Sequence, residues 1–309
     1  MTLRLDDSWV WDSWYVRDAL LHHAYLLSAP RSLPSPEDRH LNVTIAHATS
    51  TDLVNWTVRE PALSPSRQPA FDDAATWTGS VLRHGELWWM FYTGAATATD
   101  ALVQTIGLAT SPDLFSWTRH SDQPIVELDQ RWYEVLDRDA WHDQAWRDPW
   151  VFRHHDQFHM LVTARARKGP ARGRGVIGHC TSPDLLTWTA QPPLTRPGVG
   201  FGHLEVPQVE VVDNVPVLIF SCGTDELDPA GRHDRGGVFS VVGDSVLGPF
   251  DMSAAGRFPH DSLYAARLVL HDSQWFLIGF RDRENGSFVG ELTDPIAVTA
   301  TTEGGLIPR

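Results

Sequence analysis

Residues 46–57 read AHATSTDLVNWT, residues 107–118 GLATSPDLFSWT, and residues 178–189 GHCTSPDLLTWT. The three copies share a run of small residues, then Thr-Ser, Asp-Leu and Trp-Thr at fixed offsets. Each copy predicts a strand that ends in a turn, because Ser and Asp side chains hydrogen-bond their own backbone there. The Trp then opens the strand that follows. Successive copies stand about 60 to 70 residues apart, room for four strands with loops and longer than the ~40–45 residues of a WD40 blade. Two degenerate copies follow, VVGDSVLGPFD at 241–251 and VGELTDPIAVT at 289–299, which makes five units.

Between the copies lie short β-rich runs: ELWWMFYTG, QFHMLVTAR, VPVLIFSCG and QWFLIGFRD. Each follows a polar turn (RHG, HHD, VDN or HDS), which is a hairpin signal. Helical periodicity is weak throughout. A two-sheet sandwich does not normally carry so long a repeat. The pattern predicts an all-β, five-bladed β-propeller with four-stranded blades around a central axial pocket. The whole chain, 1–309, is expected to be one domain of this kind. Segments 28–40 (SAPRSLPSPEDRH) and 164–175 (ARARKGPARGRG) read as exposed loops inside blades. The second, glycine-rich and basic, lacks the GK[ST] ending of a phosphate loop and is expected to be a flexible excursion near the pocket mouth.

A net charge of −14 argues against nucleic acid, whose phosphates need clustered Lys and Arg, and against anionic membrane surfaces. A neutral sugar would be indifferent to this field. The chain holds 14 Trp, most of them expected in the core, although an indole face is also a platform for the C–H face of a sugar. Cys180 and Cys222 are too few for a disulfide framework and are expected as free thiols. The first residues, MTLRLDDSWVWDSW, place acids and tryptophans where a signal peptide needs a basic start and an apolar run. The expected location is therefore cytoplasmic. No apolar run approaches the ~20 residues of a membrane span.

Each unit is preceded by a polar segment set among aromatic or apolar residues. These are WVWDSWY (9–15), ATWTGSVL (75–82), AWRDPWVF (145–152), GHLEVPQVEV (202–211) and HDSLYAARLV (260–269). In a propeller the first strand of each blade lines the channel. Asp12, Ser80, Asp148, Glu205 and Asp261 are therefore expected around one pocket. Crowded carboxyls suit glycoside cleavage, which needs an acid to protonate the leaving oxygen and a carboxylate to attack or to activate water. A further carboxylate can hold sugar hydroxyls as charge develops, and crowding keeps at least one acid protonated near neutral pH.

These segments resemble the clan that joins glycoside hydrolase families 32 and 68. WDSW at 11–14 resembles the nucleophile segment of the levansucrase family, and WTGS at 77–80 resembles the WSGS of both families. RDP at 147–149 is similar to their transition-state-stabiliser motif. LEVP at 204–207 resembles the E-C-P of invertases, and DSLYA at 261–265 their D-F-Y-A. The resemblance runs in order along essentially the whole chain. It implies a retaining β-fructofuranosidase-like hydrolase of sucrose or short fructo-oligosaccharides. Asp12 would be nucleophile, Asp148 transition-state stabiliser and Glu205 general acid/base. Trp11, Trp14, Trp77, Ser80, Arg147, His203, Asp261 and Tyr264 would bind substrate, with Arg147 orienting Asp148. The invertase W-M-N-D-P-N is not reproduced at Asp12, Tyr15 stands where levansucrases usually have Pro, and no second β-sandwich is expected.

Other readings of the same residues are an inverting arabinofuranosidase- or xylosidase-like enzyme of family 43, a fructosyltransferase, and a carbohydrate-binding propeller without catalysis. Carboxyls of Asp12 and Glu205 about 5–6 Å apart would mark the retaining enzyme, and about 8–9 Å the inverting one. The 15 His include pairs at 22–23 and 154–155, but no HExxH or calcium-loop spacing occurs. Neither metal nor cofactor is expected. His203, two residues before Glu205, is expected to tune that acid or touch substrate. Glu210 is read as an outward strand residue.

Overall fold

The computed structural model describes residues 3–302 and 304–309. Blade one is β1 (Ser8–Arg17), β2 (His22–Pro30), β3 (Thr44–Ser50) and β4 (Thr57–Leu63). Blade two is β5 (Ala75–His84), β6 (Leu87–Ala95), β7 (Gln104–Ser111) and β8 (Thr118–Arg119). Blade three is β9 (Trp146–His154), β10 (Gln157–Arg165), β11 (Gly175–Ser182) and β12 (Thr189–Gln191). Blade four is β13 (Glu205–Val212), β14 (Val215–Cys222), β15 (Gly237–Val242) and β16 (Gly256–Arg257). Blade five is β17 (Leu263–His271), β18 (Gln274–Glu284), β20 (Ile296–Thr301) and β21 (Gly305–Pro308), with β19 (Ser287–Leu292) added beside β18. The sheets are antiparallel meanders. Their first strands touch in cyclic order β1, β5, β9, β13, β17 and back to β1, so five blades close a propeller.

The repeat has the predicted local cause. In its three clear copies Asp52, Asp113 and Asp184 accept two backbone N–H bonds each, at 2.7–2.9 Å. The next residue, Leu53, Leu114 or Leu185, is buried and takes a left-handed φ of 62–68°. Trp56 and Trp188 then donate their indole N–H to the carbonyls of Leu53 and Leu185, both at 2.9 Å. In blade two the Leu114 carbonyl is taken by the Tyr25 hydroxyl of blade one, at 2.7 Å. The degenerate copy at 241–251 falls in the same place, after β15, whereas the copy at 289–299 covers the break between β19 and β20, both paired with β18, ahead of the turn into β21. Hairpin turns at Asp213-Asn214 and Asp272-Ser273 have both central φ positive, as tight two-residue turns require.

Apolar clusters fill the spaces between neighbouring blades. Trp14 and Trp146 are fully buried in them, and both cysteines are buried and free. Each sheet is made from one continuous stretch of chain, so no strand of blade one enters the fifth sheet. The ring closes there by side-chain packing of Val10, Trp11 and Trp14 with Phe280 and Leu292. Arg31 adds bonds to the carbonyls of Val289 and Gly290, both at 3.3 Å.

The basic segment 164–175 departs from expectation. It is pinned: Arg165 donates to Glu134 (2.9 Å), to the Gly202 carbonyl (2.6 Å) and to the Ala171 carbonyl (2.9 Å). Its guanidinium lies 3.7 Å from the Trp141 ring centroid. Two carboxylate-to-guanidinium bonds at Glu134, from Arg165 and Arg174, explain why so basic a stretch is ordered. Within it, Arg172 borders a depression beside the axial cavity instead of its mouth. Segment 28–40 does reach the cavity, through Arg39 and His40.

Candidate active site

A cavity of about 760 Å³ opens at one end of the propeller axis, lined by Asp12, Asp148 and Glu205 together with Trp11, Trp77, Arg147 and Tyr264. The same backbone device presents them in every blade. All five first strands break register where the cavity begins: between Val10 and Ser13, Trp77 and Gly79, Arg147 and Trp150, Glu205 and Gln208, and Tyr264 and Arg267. A bulge re-aims side chains that regular alternation would send elsewhere. Three of these bulges use a left-handed residue: Asp148 (φ 59°), Val206 (φ 52°) and Ala265 (φ 45°). Each of their N–H groups is caught by a hydroxyl of the preceding blade, Asp148 by Thr93 (2.8 Å), Val206 by Thr163 (3.2 Å) and Ala265 by Ser221 (3.0 Å). Those bonds hold a conformation that Asp tolerates but that the β-branched Val206 resists.

The acids sit in different surroundings. Asp12 accepts a short hydrogen bond from the Thr78 hydroxyl of blade two. Burial first, and then the Asp148 charge, push its carboxyl up to about 7. Asp148 is 3% exposed; its Oδ2 accepts from Thr163 Oγ1 (2.7 Å) and from the Val206 N–H (3.2 Å). Glu205 is clamped at both oxygens, by Arg147 Nη2 at 2.6 Å and by the Tyr264 hydroxyl at 2.5 Å. Burial, and next the charge of Glu226, raise its carboxyl above the ordinary range despite Arg147. Glu226 goes the other way: burial opposes its ionisation, but His203 and Arg147 beside it hold it at about 2. Arg147 also donates to the Gln104 amide oxygen (3.1 Å) and to Asp143 (3.0 Å), and the Asp143, Glu205 and Asp148 carboxylates strengthen its charge against burial.

Several expected substrate contacts lie elsewhere. Trp14 is fully buried and stacks 6.0 Å from Tyr25, because the bulge at Trp11–Asp12 turns it into the core. Ser80 is buried and accepts the Val151 N–H at 3.1 Å, a tie between blades two and three. Asp261 precedes β17; its side chain is 78% exposed and pairs with Arg235 and Arg257. His203 is buried behind Arg147, between Trp141 Nε1 (2.9 Å) and Glu226 (2.9 Å). It reaches Glu205 only through Arg147. Glu210 is half-buried; burial raises its carboxyl to about 7, so it is less outward than its place in β13 suggests.

Thr78, Asp143, Glu226, Arg39, His40 and Asp282 also line or support the cavity, although sequence reasoning did not single them out. Thr78 lay inside the quoted WTGS, and Asp143 stands four residues before Arg147. Arg39, His40 and Glu226 belong to connections whose path only the closed ring fixes, and Asp282 lies near the end of β18. Among the described residues, His142, His203 and Glu226 come close enough to suggest a metal site. Both ring nitrogens of His203 are already hydrogen-bonded, which fits a polar support better than a ligand set.

Comparison with known proteins agrees with this architecture. The inulosucrase from Halalkalicoccus jeotgali bound to kestose superposes with a TM-score of 0.80 at 19% identity, over 98% of this chain and 88% of that one. An extracellular sucrase of Zymomonas mobilis is 23% identical over 357 aligned residues, 98% of this chain and 82% of the relative. A probable sucrose-6-phosphate hydrolase of Psychromonas ingrahamii is 35% identical over 146 residues, 47% of this chain and only 24% of that protein. An insoluble β-fructofuranosidase isoenzyme of Arabidopsis thaliana is 30% identical over 154 residues, 23% of its own length. Residues 33–245 match the N-terminal domain of glycosyl hydrolases family 32, and the chain belongs to that family.

Proposed function

We propose that this chain is a retaining glycoside hydrolase that releases fructose from sucrose-type substrates. The observation that carries this reading is Glu205, clamped by Arg147 and Tyr264, sharing one cavity with Asp12 and Asp148. Membership of family 32 supports the reaction class, and the sucrase, sucrose-6-phosphate hydrolase and β-fructofuranosidase relatives support the substrate class.

In this mechanism the Asp12 carboxylate attacks the anomeric carbon of the fructosyl unit. Glu205 gives its proton to the glycosidic oxygen as the carbon–oxygen bond breaks, and the aglycone leaves neutral. Water then attacks the same carbon, Glu205 takes its proton, and the Asp12 carboxylate departs. Asp148, rigid in its hydroxyl and amide cradle, binds fructose hydroxyls whose hydrogen bonds strengthen in the oxocarbenium-like transition state. The first step needs Asp12 ionised while Glu205 is protonated. Glu226, kept ionised beside Glu205, favours that proton by like-charge repulsion.

The test is incubation with sucrose, inulin- and levan-type oligosaccharides and aryl arabinofuranosides, following products and anomeric configuration by NMR. Fructose released with retention is expected, and Asp12→Asn should abolish it while leaving the fold intact. Arabinose released with inversion, and no fructose from any substrate, would reject the reading.

A further inference from the structure

Beneath the cavity floor lies a cation that the mechanism above does not use. Arg267, on β17 where the ladder resumes after the blade-five bulge, is 1% exposed. Its guanidinium crosses the axis. Nη1 donates to the Pro207 carbonyl of blade four at 2.6 Å, and Nη2 to the Gly79 carbonyl of blade two at 3.3 Å. Its carbon lies 5.2 Å from the Trp150 ring centroid of blade three, and Nε has no partner. Among the described residues no carboxylate comes within ion-pair distance of it. Its carbonyl partners lead to both acids. Gly79 follows Thr78, whose hydroxyl holds Asp12. Nη1 also reaches the carbonyl of Val206 (3.4 Å), whose N–H is held by Asp148, so the negative groups it feels are Asp148 and Asp12.

Carbonyl bonds alone do not account for the charge. A neutral amide could donate to the same carbonyls without burying a cation, and an unpaired buried cation is costly. The cavity supplies the missing reason. It gathers Asp12, Asp148, Glu205 and Glu226, and its other deep cation, Arg147, is committed to Glu205 and Asp143. Around Asp12 stand Asp148 from β9, Glu205 from β13, Arg39 from the turn at Pro36–Leu41, and Arg267 from β17. Arg39 gives its Nη1 to the Pro36 carbonyl and to the Glu37 carboxylate, an ion pair that Arg267 lacks, although its Nε too has no partner.

We propose that Arg267 is a positioning residue whose charge, set beneath the pocket floor and facing Asp12 and Asp148, keeps the nucleophile ionised while Glu205 retains its proton. This deepens the fructosidase reading and rests on it for the roles of the two acids. The same charge favours Asp12 as the departing carboxylate in the second step, when it regains its negative charge.

Arg267→Gln keeps donors and removes the charge; Arg267→Lys keeps the charge and loses the fork. In kcat/KM against pH on sucrose, R267Q should move the acid limb up by about one pH unit, with a roughly tenfold loss near neutrality. R267K should hold the limb at its wild-type position. An unmoved limb in R267Q, or one displaced in R267K, overturns the assignment; the second result decides even if R267Q does not fold. A melting comparison decides it without turnover. The stability that Asp12→Asn gains at pH 8 should be larger in the R267Q background than in wild type and unchanged in R267K, and equal gains in all three refute it. A wild type inactive on every fructoside fails the proposed function, while these melts still judge Arg267.

Discussion

Asp12 is both the proposed nucleophile and a charge the fold resists, so removing it should cost activity and add stability. In the unfolded chain its carboxyl titrates near 3.8; in the fold, burial and then Asp148 hold it near 7. At 1.36 kcal/mol per tenfold change in the ionisation constant, the folded anion is disfavoured by about 4 kcal/mol, and water in the open cavity reduces this to about 2–4 kcal/mol. The sign follows from proton binding. Between the two values the folded state holds a proton that the unfolded state has lost, so stability falls as pH rises through that window and is level on either side. Asp12→Asn carries no charge and still offers an oxygen to the Thr78 hydroxyl. Its melting temperature should match the wild type below pH 4 and exceed it at pH 8 by about 4–8 °C, at roughly 2 °C per kcal/mol for a chain of this size. Thermal melts followed by circular dichroism from pH 3.5 to 9 measure this directly. Equal melting temperatures at pH 8, or a gap widest in acid, would refute the reasoning.

Three further outcomes follow from the same geometry. Glu226→Gln removes the like charge that keeps the proton on Glu205, so the basic limb of the kcat/KM profile should shift to lower pH. A limb that stays put or rises counts against that role. Tyr264→Phe removes a donor to the Glu205 carboxylate, so kcat/KM should fall about 10–100-fold, the worth of a hydrogen bond to a charged group. The basic limb should move up in this variant, opposite to Glu226→Gln. Asp261→Asn alters only an exposed ion pair and should leave kcat and KM on sucrose within twofold of wild type; a larger loss would return Asp261 to the site.

The repeat was legible because its cause is local. An Asp accepting two amides, a left-handed Leu and a Trp tied back to it need nothing beyond a dozen residues. Asp12, Asp148 and Glu205 were legible because each heads a channel strand. Trp14 and Ser80 were misplaced by the bulges, which break the two-residue alternation on which strand-face arguments rest. Asp261 misled because the strand begins two residues later, so Tyr264 takes the pocket position while Asp261 finds arginines outside. The hydroxyl stitches did leave a trace: Thr93, Thr163 and Ser221 are each the seventh residue of a second strand, β6, β10 and β14. Arg39 and Glu226 left none, since their nearness to the acids depends on loops that converge only when all five blades are in place.

The join between the first and fifth blades acts as a mechanical fuse. Every other sheet-to-sheet boundary is spanned by the covalent chain passing from one blade to the next, but this one is held by packing and by scattered bonds, from Arg31 to the Val289 and Gly290 carbonyls, between His22 and His271 (3.0 Å) and from Arg283 to Glu37 (3.1 Å). The fracture line runs between Asp12 on one bank and Tyr264 on the other, and Tyr264 in turn holds Glu205. A crack that widens there parts the reacting groups while all five sheets keep their hydrogen bonds. Under heat or denaturant, catalysis should therefore fail first and β-structure afterwards, so that a preparation can look folded by its spectrum and already be spent.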